Sequence, residues 1–276
     1  MDAVCETGIN LQPIGIVRSP TKDTSDVPIP GKPAEIVVDP RYSQALCRIE
    51  TNSHLWILSW FHLSNRESLV SVPARVNPYL PQYGVFSLRS PNRPNPIGLS
   101  LVRLQAVDGN VLKVTNLDAI DGTPVLDIKP YYEQDIVFSP ATPYIRPYEL
   151  SMRRDIFLKQ ALTHHQEECD DLYMAVRMAL IADEYLGQIT LPQVFLQVSG
   201  STCLADTLQG LSRARLANPA RFRFTESGNL AQSIWETPGL SLRVTAKQSV
   251  NRESFKVISD EELFEIVATD QCNLGP

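Results

Sequence analysis

Apolar residues in the first half of the chain come in short alternating runs, while those in the second half recur mainly at three- and four-residue spacing. The two patterns predict different architectures. Residues 11–17, 34–38, 55–61, 69–76, 84–88, 99–107, 111–115 and 125–129 read as strands, and Asp108-Gly109-Asn110 is a hairpin signal. So many short strands at this spacing predict a closed or nearly closed antiparallel barrel. No long amphipathic helix is expected before Tyr144.

From there the pattern changes. Residues 140–147 (PATPYIRP) read as a linker, and 149–186 as one helix whose buried face carries Leu162, His165, Cys169, Leu172, Val176 and Ala179. Gly187 suits the position just past its end. A buried strand is expected at 194–198, a helix at 203–216, a strand through Leu240, Leu242, Val244 and Ala246, and another at 255–258. Ser259-Asp260-Glu261-Glu262 is a capping box opening a last short helix. The expected organisation is an all-β barrel over 1–140 and an α+β domain over 148–276.

One stretch stands apart within the strands. Residues 87–101, SLRSPNRPNPIGLSL, carry Arg89 and Arg93 among Pro91, Pro94 and Pro96. Those prolines remove backbone donors, so neither a helix nor a central strand can run through them. A rigid polar bend of this kind is shaped before any charged ligand arrives. It reads equally as a proline turn with solvated arginines until its companions are considered.

Charge narrows the partners. Residues 1–150 hold 13 basic against 15 acidic side chains and the remainder 12 against 16, for a net −6. Neither half has the basic excess of a protein that binds nucleic acid by bulk charge, so local arginines would have to serve. Arg213, Arg215, Arg221 and Arg223 form the one dense basic cluster, which could touch a phosphate backbone but reads first as solvated surface. Five scattered cysteines (Cys5, Cys47, Cys169, Cys203 and Cys272) argue for a reducing compartment. With no signal-peptide pattern at the start and only short apolar runs, the expectation is a cytoplasmic protein without a membrane span.

An ordered set of motifs then joins the bend. Ile14-Gly15-Ile16-Val17-Arg18-Ser19-Pro20, Ser53-His54-Leu55-Trp56, the bend from Arg89 to Gly98, the turn Asp118–Pro124 and Asp127-Ile128-Lys129-Pro130 follow one another. The set resembles the TsaA-like, or TrmO, family of tRNA methyltransferases acting on threonylcarbamoyladenosine, over about residues 11–132. The resemblance implies a non-Rossmann β-barrel that binds S-adenosyl-L-methionine at a homodimer interface. No G-x-G-x-x-G follows a strand, in keeping with that. Family contacts to the cofactor would fall on Pro28, Ile29 and Pro30, on His62 and Leu63, on Arg89, near Leu99, and on Asp121, Gly122, Thr123 and Pro124.

These residue types suit the donor. An arginine fork fits its carboxylate, the acidic turn its cationic end, and leucines its adenine. The methyl group is already activated, so alignment is the main task. His62, Arg93 and Asn95 are candidates for orienting the acceptor or taking its proton.

Residues 163–224 resemble FmdE-like domains through His165–Asp171, Arg177-Met178-Ala179 and Cys203–Gln209. That resemblance implies a metal site. His165 and Cys169 would share a helix face, and Cys203 sits where a helix begins and thiolate is favoured. Such ligands suit zinc or another late transition metal. The alternative is that they are ordinary core residues.

The leading expectation is thus a methyltransferase using S-adenosyl-L-methionine on threonylcarbamoyladenosine in tRNA. A second reading keeps the chemistry but takes as acceptor a small molecule or metal-linked cofactor held by the second domain. A third makes the chain a non-catalytic metal- or cofactor-binding module.

Overall fold

The computed structural model describes residues 8–138, 140–228 and 230–270. Its contacts divide the chain into two units, one formed by the chain up to Ala74 with Tyr79–Ile136, the other by Arg75–Pro78 with the chain from Val137 on.

In the first unit, β1 (Gly15–Arg18), β2 (Lys32–Val38), β3 (His54–Trp60), β6 (Ile97–Asp108), β7 (Val111–Leu117) and β8 (Pro124–Pro130) close into a barrel in the order β1-β2-β7-β6-β3-β8. Two-residue strands β4 (Val70–Ser71) and β5 (Tyr83–Gly84) form a separate ribbon. Alternation decides which side chains fill the barrel: Leu55 and Ile57 of β3, Val102 of β6, Leu112 and Val114 of β7, Ile36 and Val38 of β2, Val17 and Val125 are all buried. The barrel is antiparallel throughout.

The expected strand at 11–17 begins late, because Pro13 has no donor; Ile14 N makes the first bond, to Val125 O at 2.8 Å. Proline-rich 69–88 yields only β4, β5 and a 3-10 turn at Val85–Ser87. A 3-10 helix at Pro40–Leu46 was not legible as such. Asp39 caps it, accepting from Arg41 N at 2.9 Å, with Pro40 at the first position. Where β6 starts, Gly98 faces inward under Phe61, and a Cβ there would collide with that ring.

The second unit contains α1 (Leu150–His165), α2 (Asp170–Leu186), β9 (Phe195–Gly200), α3 (Thr202–Ser212), β10 (Phe222–Glu226), β11 (Gln232–Glu236), β12 (Leu240–Ala246), α4 (Asp260–Leu263) and β13 (Phe264–Asp270). Its sheet runs β10-β9-β11-β12-β13, with β10 and β9 parallel and the other pairs antiparallel. Leu172, Val176 and Ala179 of α2 and Leu204 and Leu208 of α3 share one core with Val198, Trp235, Leu242 and Val244 of the sheet. The class is α+β.

Two expectations fail here. The helix 149–186 is two helices, broken where Gln166 takes a left-handed φ of 61° and Cys169 becomes the N-cap of α2. Residues 255–258 are not a strand. Ser254–Lys256 is a 3-10 turn, and the Arg177 guanidinium takes the carbonyls of Phe255 and Ile258, each at 2.9 Å.

Residues 140–147 have no regular structure but are anchored. Tyr144 hydrogen-bonds the buried Asp183, and Arg146 donates to Asp183 at 2.9 Å and to Glu184 at 2.6 Å. Arg153 also reaches Glu184, at 2.6 Å. Cys47, Cys169 and Cys203 are free thiols, while Cys5 and Cys272 lie outside the described residues. Among the described residues no helix is long and apolar enough to cross a membrane.

Gly98→Ala is expected to lower unfolding free energy by about 1–3 kcal/mol, read from the urea midpoint, because the Phe61 ring must move. A second expectation concerns acid. The Glu184 carboxyl lies below its ordinary 4.5, chiefly through the Arg153 hydrogen bond and then that of Arg146, with burial opposing. A depressed folded value means the unfolded chain binds protons first. The contribution is therefore complete above that ordinary value and disappears as pH falls through the depressed one. Glu184→Gln should flatten this part of the stability–pH curve.

Candidate functional site

Strand register determines where the loops leave the barrel. Trp60, ending β3, pairs with Ile97, starting β6; Ser59 pairs with Val125 and Ile16 with Pro124 at the start of β8. Lys32, starting β2, pairs with Leu117, ending β7. In an antiparallel barrel these pairings share one rim. Loops 19–31, 61–69, 87–96 and 118–123 all leave from it. They carry Pro28, Ile29, Pro30, His62, Leu63, Arg89, Arg93, Asn95, Asp121, Gly122 and Thr123, with Pro124 opening β8 and Leu99 on β6 just below.

The acidic turn is fixed to β1 and to the loop that follows it. Asp121 Oδ1 accepts from Ser19 N at 3.0 Å, Asp121 N donates to Thr21 O at 2.8 Å, and Gly122 N to Val17 O at 2.8 Å. Val17 N donates to Thr123 O at 2.9 Å, and the buried Thr123 hydroxyl closes the turn on Ile120 O at 2.8 Å. Gly122 has φ +76°, where a side chain would be strained. Asp118 is held separately, by the hydroxyl of buried Ser100 on β6. Asp121 therefore has one oxygen committed to the backbone of the neighbouring loop.

The two arginines of the bend differ. Arg93 Nε donates to Ser90 O at 2.8 Å and Nη2 to Val85 O at 2.6 Å and to Leu88 O. Three carbonyls of its own segment thus hold the Nε and Nη2 side of its guanidinium. Arg89 is exposed and has no hydrogen-bond or ion-pair partner among the described residues; the same holds for the side chains of His62 and Asn95. Loop 61–69 is tied to the bend, since Asn92 Oδ1 accepts from Asn65 N at 3.0 Å and Arg66 Nε donates to Pro94 O at 3.0 Å. Ile29, Leu63 and Leu99 are exposed apolar side chains on or beside the rim.

The outer wall beside this rim is also apolar. Leu55, Ile57 and Ser59 point into the barrel from β3, and Gly98, Ser100 and Val102 from β6. The outward cross-strand pairs are consequently Trp56 with Leu101, Leu58 with Leu99, and Trp60 with Ile97.

In the second unit, ligand atoms of His165, Cys169 and Cys203 lie within 4.8 Å of one another. They do not share a helix face as expected. His165 ends α1, Cys169 caps α2, and Cys203 lies in the first turn of α3. His165 Nδ1 is 2.7 Å from Asp206 Oδ2 and its Nε2 is 3.6 Å from Cys169 Sγ. The surroundings of Cys203 work against the thiolate expected at a helix start. Burial pushes its thiol up, and the charges of Cys169, Asp171 and Glu167 add to this. Asp206, one turn beyond Cys203, lies within the Cys203–Gln209 motif but was given no role of its own in the sequence.

Nor is the arginine cluster simple solvated surface. Arg221 is buried and donates to Leu191 O, Val194 O and Arg213 O, and Arg213 and Arg215 lie over the Phe138 ring.

Residues 16–135, which take in nearly all of the barrel, match the family model described as the tRNA-methyltransferase O N-terminal domain. The chain is 36% identical over 221 residues to a probable S-adenosyl-L-methionine-binding protein of Archaeoglobus fulgidus, covering 76% of this chain and 60% of that protein's length. It is 46% identical over 129 residues to a probable S-adenosyl-L-methionine-binding protein of Methanothermobacter thermautotrophicus, covering 45% of this chain and 91% of the relative. With the tRNA (adenine(37)-N6)-methyltransferase of Escherichia coli it shares 39% identity over 138 residues, covering 45% and 58%.

Arg93→Met should release the bend without unfolding the barrel. Amide exchange across 85–96 is expected to rise at least tenfold, with core strand amides unchanged, because each lost charge-assisted bond is worth about 1.5–3 kcal/mol.

Proposed function

The chain belongs to the tRNA-methyltransferase O N-terminal domain family, and on that premise we propose that it transfers a methyl group from S-adenosyl-L-methionine to a nitrogen of threonylcarbamoyladenosine in tRNA. The observation that carries this reading is the shared rim: four loops bearing the cofactor-type residues leave one end of the barrel that the family match spans.

The residues divide the work as follows. Arg89, exposed and unpaired, receives the donor's carboxylate as a fork. The uncommitted oxygen of Asp121 and the carbonyls of its turn face the cationic end. Pro28, Ile29 and Pro30 with Leu63 and Leu99 cover the adenine, and Gly122, Thr123 and Pro124 shape the turn. Arg93 acts as a positioning residue through the bend. His62 and Asn95, with free side chains on the same rim, orient the acceptor or take its proton. The reaction needs in-line alignment of nucleophile, methyl and sulfur, which a preset rim favours. Without bulk positive charge, tRNA recognition rests on local groups.

The apolar wall of Trp56, Leu58, Trp60, Ile97, Leu99 and Leu101 supports a homodimer, because it continues to the rim through Leu99. For the second unit, the cluster of His165, Cys169 and Cys203 supports a late transition metal such as zinc. That cluster also favours one alternative reading, in which the acceptor is a small molecule or metal-linked cofactor held there.

Arg89→Ala should weaken donor binding by about 10–100-fold in calorimetry at unchanged melting temperature, from the loss of one charge-assisted fork. Unaltered affinity would remove Arg89 from the site. For the acceptor, modified nucleosides from cells with and without the gene are compared; an unchanged level of methylated threonylcarbamoyladenosine would overturn the tRNA assignment.

A further inference from the structure

We infer that Arg213 and Arg215, gathered over the Phe138 ring, form a phosphate-binding platform in the second unit, and that it takes phosphates of an RNA backbone. This rests on the tRNA reading above and names local groups with which an acidic chain can hold RNA.

The platform is built by the turn from α3 to β10. Arg213 ends α3 with a left-handed φ of 56°, and its backbone N–H bonds Gln209 O at 2.9 Å. Its carbonyl accepts from Arg221 Nη2 at 2.9 Å. The Arg215 carbonyl accepts from Arg221 N at 2.7 Å and from Phe222 N at 2.9 Å. Arg221 is itself buried and ties the turn to the segment before β9, through Leu191 O at 3.1 Å and Val194 O at 2.9 Å. The backbone carrying Arg213 and Arg215 is therefore fixed before a ligand arrives, which lessens the entropy lost on binding.

Both side chains then come to one ring. The guanidinium carbons of Arg213 and Arg215 lie 5.7 and 5.2 Å from the Phe138 centroid. Cation–π attraction holds each of them there. Arg213 is half-buried, Arg215 is exposed and the ring is 36% exposed, so the cluster opens to solvent. Burial disfavours the charged form of Arg213. It does the same to Arg221, and the Arg215 charge adds to that. Positive charge is thus crowded into one turn and held there by a ring and main-chain carbonyls, which are neutral. An anion accepting from Arg213 and Arg215 together offsets the repulsion between them.

Chemistry and charge choose the ligand. A guanidinium donates as a planar fork that fits phosphate oxygens. The net charge of −6 repels a polyanion from the chain as a whole, so a local cluster has to receive it. An RNA backbone offers phosphates in succession to neighbouring arginines. Such contacts position the substrate without reading its sequence.

The full-length chain and purified tRNA, titrated from about 50 to 200 mM salt, test this. Arg215→Gln should weaken binding about 3–10-fold and flatten the slope of log affinity against log salt by about 1. Arg213→Gln should do the same; should it fail to fold, the exposed Arg215 decides alone. Arg41→Gln removes equal charge from an arginine already paired with Asp39 at 2.8 Å and should change little. An equal loss in that control would make the effect one of net charge and overturn the platform. Unaltered affinity and slope in the platform variants would also overturn it and leave the tRNA reading standing. No tRNA binding by the unaltered chain would overturn both. Loss of inorganic phosphate binding in Arg215→Gln, with tRNA binding unchanged, would make this a small-anion site and defeat the RNA assignment. Asp2 and Glu6 lie outside the described residues. Asp2→Asn with Glu6→Gln guards against neutralisation by the chain itself: an Arg215 effect seen only in that background would make the platform an internal ion-pair site and overturn the proposal.

Discussion

The pairing of β3 with β6 on one side and β8 on the other is the constraint from which the barrel's chemistry follows. Each pairing is antiparallel, so the end of β3 meets the beginnings of both neighbours, and the loops attached there meet as well. A slip of one residue along β3 would exchange Leu55, Ile57 and Ser59 for Trp56, Leu58 and Trp60 in the interior. The core would then have to accept two indoles in a space now filled by a leucine, an isoleucine and a serine. Packing inside the barrel thereby fixes the arrangement of side chains outside it.

Much of this was legible because strand alternation is a local signal. Every barrel strand was found within a few residues, as were the hairpin at Gly109 and the capping box at Ser259. The failures have physical causes. Leu162, His165, Cys169 and Leu172 keep helical spacing straight through a break, and no glycine or proline marks residues 166–169; only the left-handed Gln166 ends α1. Phe255 and Ile258 look like strand residues until the remote Arg177 claims their carbonyls.

At the rim, residue types were legible and their states were not. Arg89 and Arg93 are indistinguishable in a string of letters. What separates them is whether backbone carbonyls surround the guanidinium, and that depends on how Val85–Ser87 turns under the bend. The same holds for Cys203, whose position at a helix start predicts a thiolate, while burial and neighbouring negative groups work against one. The two acidic residues of the turn likewise proved unequal, Asp118 bound by a core serine and Asp121 by a loop amide.

The fastening between the acidic turn and β1 is made largely by main-chain groups of Val17, Ser19, Thr21, Gly122 and Thr123. Main-chain groups survive most substitutions. Side chains along the loop from Lys22 to Val27 can therefore drift over evolutionary time while the turn stays where it is. A scaffold built this way can be retuned toward new acceptors by changing letters in its loops, with little penalty to the architecture that presents them.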